Sequence, residues 1–114
     1  TTECVAHQNY KQAIINASDT GTAITGRSIG GVTRAIKSPF IARLQEMEAA
    51  GAPAKQILAF IGTERIRMGE LGGDLAEGEA YSGAIAGMIR AVKPAGDVVR
   101  EIVNGIPSVI KGLR

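Results

Sequence analysis

The chain has 114 residues, 45% of them apolar, with one cysteine, no tryptophan, two Phe, two Tyr and a net charge of +2. This length sets one small domain or a piece of a larger one, with enough Ile, Val, Leu, Met and Ala for a core. So mild a charge, with no basic stripe interleaved with aromatics, excludes a nucleic-acid binder, no apolar run approaches the roughly 20 residues of a membrane span, and a lone cysteine excludes an internal disulfide framework and fits a reducing, cytoplasmic compartment.

The start, "TTECVAHQNYK", has no basic region followed by an apolar one and no initiator Met, so it is not a signal peptide and is expected to be an internal point of something longer. From 9 to 17, "NYKQAIINA" sets Tyr10, Ala13, Ile14 and Ala17 three and four apart, predicting a one-sided helix stopped by Ser18, Asp19 and Gly21. "TAIT", 22 to 25, is β-branched and bracketed by turn residues, and reads as the one convincing strand. A single strand cannot satisfy its own backbone groups, so it is expected to need a sheet from outside this chain's helices.

"SPFIARLQEMEAAG" predicts a helix with Ser38 as N-cap, Pro39 at the first position, Gly51 as the left-handed stop, and Phe40, Ile41, Leu44 and Met47 buried. "APAKQILAFIG" repeats the scheme, with Pro53 near its start, Ile57, Leu58 and Ile61 inward, and Gly62 at its end. "TERIRM" adds one helical turn capped by Thr63, and the acidic, glycine-rich 69–78 reads as a loop. From 79 to 92, Ala80, Gly83, Ala84, Gly87 and Ala91 fall on one predicted helical face, with Ile85, Met88, Ile89 and Val92 as its apolar grip. Glycine costs a helix about 1 kcal/mol relative to alanine, so this face implies close approach of another backbone or of a flat ligand, packing being the commoner use. Pro94 opens a last helix with Val98, Val99, Ile102 and Val103 inward, to be broken or kinked at Gly105 and Pro107.

Chemistry-bearing patterns are few. Cys4 and His7 have a CxxH spacing, but zinc needs four ligands, or three and a water, and no second cysteine or histidine exists. Glu70, Asp74, Glu77 and Glu79 flank glycines and read as a solvated loop rather than an acid–base pair. "GRSIGG", 26 to 31, has neither dinucleotide-fingerprint spacing nor the GK[ST] of a P-loop. Two readings stay open for it. One is a flexible turn with solvated cations, which composition alone favours; the other is a ligand loop at a strand's carboxyl end, where Arg27 meets an anion or a flavin edge and Ser28 offers a hydroxyl. An anion site built from Arg27, Arg34 and Lys37 is a third use of the same cations.

Taken together, "ECVAHQNYKQAIINASDTGTAITGRSIGGVTRAIKSPF", "LGGDLAEGEAYSGAIAGMI" and the closing amphipathic helix resemble the C-terminal part of the FMN-dependent nitronate monooxygenase family, which includes the flavin-type enoyl-acyl-carrier-protein reductases. The resemblance covers nearly the whole chain. It implies the C-terminal segment of a (β/α)8 TIM barrel, mostly α with one or two short strands: 1–37 as the last helix, strand and loop of the barrel, 38–114 as a helical subdomain with its closing helix. It implies FMN as cofactor, held by Arg27 and Ser28 on one side and by Ser82 and Gly83 on the other, with a nicotinamide and a small-molecule substrate in the parent enzyme. It implies no catalytic residue within this stretch, since the family's catalytic histidine motif is not matched by His7. The family's MAGQ stands here as Tyr81-Ser82-Gly83-Ala84, so the contact of that glutamine is lost. The chain alone is then expected to be inactive, and to be a fragment or a homo-oligomer; the rival is a cofactor-free helical module that self-associates.

Overall fold

The strand "TAIT" finds its partner within the chain. In the computed structural model, which describes residues 1–113, β1 (Thr22–Thr25) pairs antiparallel with β2 (Thr33–Ile36), Ala23 opposite Ala35 and Thr25 opposite Thr33. This corrects the expectation of a strand needing an outside sheet. β2 carries Arg34 at its centre and is only four residues long, so alternation could not announce it.

The segment expected as a helix over 79–92 is a second correction. Residues 80–82 run extended along β2: Ile36 N donates to the Ala80 carbonyl (2.8 Å), Ser82 N donates to the Arg34 carbonyl (3.1 Å), and Ala35 bridges Tyr81. These ladder bonds outweigh a helical stretch weakened by two glycines. Only a 3-10 turn at Ala84–Met88 follows, and Ile85 and Met88 are exposed while Ala80 and Ala86 are buried. Gly87 does allow a close approach, but of the 18–19 backbone: a Cβ there would lie 2.7 Å from the Ser18 carbonyl carbon.

The helices around this ribbon follow their punctuation. α1 (Gln8–Asn16) starts where the His7 ring accepts from Asn9 N, which occupies His7 as a cap. α2 (Pro39–Ala49) starts where Ser38 Oγ accepts from Ile41 N at 3.2 Å. α3 (Ala54–Ile61) ends at Gly62, and a single π turn (Arg67–Leu71) takes the first residues of the stretch expected as loop. Phe40, Ile41, Leu44 and Ile57 are buried with Ala23 and Ala35, forming the core between α2, α3 and the ribbon, and Met47 and Ile61 pack half-buried against it. Phe40 stacks on Phe60 with ring centroids 5.1 Å apart, and the Arg65 guanidinium lies over the Phe40 ring at 4.7 Å. Leu58, expected inward, is exposed.

α4 (Ala95–Gly112) corrects the expected break, because it runs unbroken through Gly105 and Pro107. It also has no buried residue. Val99, Ile102 and Val103, expected to face a core, line a stripe that nothing covers among the described residues. No helix among the described residues is long and apolar enough to cross a membrane.

Candidate functional site

Two left-handed glycines, Gly26 (φ +80°) and Gly30 (φ +73°), bracket a 3-10 turn at Arg27–Ile29 and reverse the chain from β1 to β2. Left-handed backbone favours glycine because it has no Cβ to clash. The turn is no loose hinge. The Glu48 carboxylate, from the last turn of α2, accepts from Gly26 N (3.1 Å), from Ser28 N (3.1 Å) and from Ser28 Oγ (2.6 Å). Burial pushes the Glu48 carboxyl upward, but the Ser28 and Gly26 hydrogen bonds and the Arg27 charge outweigh it and hold the group below its ordinary range.

Arg27 itself is exposed and enters no ion pair among the described residues. Ser28 spends its hydroxyl proton on Glu48 and keeps only acceptor capacity toward a ligand. Arg34 lies on β2 and donates to Thr22 Oγ1 at 2.9 Å, so it belongs to the ribbon and not to the turn. Ser82, half-buried, ends the extended segment, and Gly83 is exposed, with open space where a Cβ would stand.

A cavity of about 160 Å³ lies between these parts, lined by Gly26 and Gly31 of the turn, Thr25, Thr33, Glu79 and Tyr81, with Ile29, Leu44, Leu58 and Ile61 on its apolar side. It brings together the neighbours of the two expected pairs; Arg27, Ser28, Ser82 and Gly83 do not line it. Thr25 and Thr33 hydroxyls meet at 3.2 Å, and Thr33 Oγ1 reaches Glu79 Oε1 at 3.5 Å.

Glu79 corrects the expectation of a solvated acidic loop: it is 3% exposed. Burial raises its carboxyl above the ordinary range and the Glu70 charge adds to this, against hydrogen bonds from Thr33 and Tyr81. The folded protein therefore holds the Glu79 proton more tightly than the unfolded chain does. Its stabilising effect is full below the unfolded value of 4.5 and is lost as pH rises through the raised folded value. Glu79→Gln is expected to raise the thermal midpoint at pH 8 and to leave it near the parent's at pH 4, read by circular dichroism melts.

The other acidic residues are also used. Glu70 Oε1 accepts from Tyr81 N at 3.0 Å, and the Tyr10 hydroxyl donates to the Tyr81 carbonyl. Glu77 accepts from Arg43 Nη2 at 2.7 Å. Reading from sequence missed Glu48 and Glu79. Glu48 carried a signal, since it extends the buried row Phe40–Leu44 by another four residues, beside a turn with unpaired N–H groups. Glu79 carried none, because its burial depends on an extended segment that its own residues do not announce.

No family model matches the sequence, and no curated protein matches it. Among solved structures the chain is similar to FabK from Thermotoga maritima, with a TM-score of 0.87 and 29% identity, covering 96% of this chain and 34% of that one. It is also similar to the M276A mutant of FabK from Thermotoga maritima, with a TM-score of 0.74 and 26% identity, covering 96% of this chain and 31% of that one. The chain thus spans about a third of the length of the structures it matches.

Proposed function

The chain carries the fold of the C-terminal portion of FabK, a flavin-type enoyl-acyl-carrier-protein reductase of the nitronate monooxygenase family that its sequence resembles, and from this we propose that it is the C-terminal part of an FMN-dependent oxidoreductase. The likeness over 96% of the chain carries this reading. The uncovered stripe of α4 supports it, since a parent enzyme about three times as long supplies the missing cover. On this reading the 114 residues alone are expected to be inactive, since they span about a third of the structures they match.

The residues present fit one wall of a flavin site. Arg27 offers a free guanidinium to a phosphate or an electron-rich ring edge, and the Ser82–Gly83 backbone is open to a flat ring because Gly83 has no neighbour within 4 Å of a Cβ. FMN, when bound, supplies hydride transfer between a nicotinamide and an enoyl thioester, or the oxidation of a nitronate. Arg27 binds and orients, Ser28 accepts, and Tyr81 and Ala84, standing where the family has Met and Gln, reshape the substrate side.

The test is an ultraviolet–visible spectrum of the purified chain before and after FMN is added. A shifted flavin band, lost in Arg27→Ala, is expected; an unshifted band up to millimolar FMN overturns the claim that these residues form a flavin-binding wall on their own. The α4 stripe also favours a second one, a cofactor-free module that self-associates through that helix. It predicts a dimer or larger species by sedimentation with no effect on the flavin spectrum.

A further inference from the structure

We infer that Glu48 is a positioning residue for Arg27, presetting the turn between β1 and β2 that presents the guanidinium; its consequence for ligand binding rests on the flavin-site reading above. The carboxylate takes donors from both chain neighbours of Arg27: Gly26 N at 3.1 Å before it, and Ser28 N at 3.1 Å and Ser28 Oγ at 2.6 Å after it. Three donors need an acceptor with two oxygens and no proton of its own, which glutamate supplies and glutamine does not. Without that anchor the turn keeps only its internal backbone bonds, the shortest from Gly31 N to the Gly26 carbonyl at 3.0 Å, and with three glycines more of its ordering falls on the ligand. Glu48 does this while leaving Arg27 open, since the two form no ion pair. Held at both neighbours, Arg27 has a fixed origin on an exposed turn.

The test uses the full chain with FMN as probe. Dissociation constants from flavin fluorescence are compared for the parent, Arg27→Ala, Glu48→Gln and the double variant, and amide exchange of Gly26 and Ser28 is followed by NMR. Each single variant is expected to weaken FMN binding about tenfold, and the double variant no further, because Glu48 acts through Arg27. Gly26 and Ser28 amides are expected to exchange faster in Glu48→Gln but not in Arg27→Ala. Ser28→Ala, which removes one of the three bonds, serves as a milder variant read by Gly26 amide exchange alone, expected to be faster than in the parent, because Ser28 is itself placed against the ligand. Parent-like FMN binding by Glu48→Gln, or a loss that adds in full to that of Arg27→Ala, overturns the inference. If the parent binds no FMN, the flavin reading fails by itself, and exchange alone decides: faster exchange in Glu48→Gln keeps Glu48 as the anchor, and equal exchange removes it.

Discussion

Phe40→Ala is expected to abolish the cooperative unfolding transition at 25 °C. Phe40 is fully buried in a core cluster that holds six buried side chains among the described residues, two of them alanines. Truncating a buried Phe to Ala costs about 3–5 kcal/mol, while a whole small domain is stable by roughly 5–15 kcal/mol and a core this small lies toward the lower end. The ring also stacks on Phe60 at 5.1 Å and underlies Arg65 at 4.7 Å, so its loss removes both contacts and leaves Arg65 only the Phe60 ring at 5.7 Å. Urea unfolding followed by far-ultraviolet circular dichroism reads the result. A sharp transition with an unchanged midpoint would show that the core lies elsewhere.

Gly26→Ala is expected to destabilise the chain by about 3 kcal/mol, combining roughly 1–2 kcal/mol for a left-handed residue with a Cβ and the cost of overpacking. A Cβ at Gly26 would stand 2.1 Å from the Gly31 carbonyl oxygen, a backbone atom that cannot swing away. It would also displace the N–H that Glu48 accepts. Gly30→Ala is the matched control: its φ is +73° but nothing lies within 4 Å of its Cβ, so about 1 kcal/mol is expected. Equal midpoint shifts for the two variants in urea would show that strain alone, and not the contact with Gly31, governs the turn.

What the sequence announces is local. The Ser38 cap, Pro39, Gly51 and the 40–41–44 row lie within one helix, and all appear in the structure as expected. Two helical expectations fail, the first for a long-range reason and the second for a local one. Residues 80–82 have helix-compatible spacing, yet their N–H and C=O groups find better partners on β2, more than forty residues earlier in the chain. Of the break or kink expected at Gly105 and Pro107, the break does not occur, because proline removes one helical bond without preventing the turns on either side. Around the turn, the expected flexibility of "GRSIGG" was inferred from glycine content alone; Glu48, distant in sequence, supplies the missing acceptor. Arg27 and Gly83 are exposed, whereas the burial of Glu79 is invisible in the sequence because it follows from that same misread segment.

Side chains cap both flanks of the ribbon. Along its 80–82 flank, the outward groups of Tyr81 are already taken, the N–H by Glu70 and the carbonyl by Tyr10. β1, on the opposite flank, has no strand beyond it among the described residues. A strand that extends the sheet at Thr22–Thr25 has first to displace Gln45 from the Ile24 carbonyl, and one at 80–82 has to displace Glu70 and Tyr10 from Tyr81, so each edge is guarded by its own side chains.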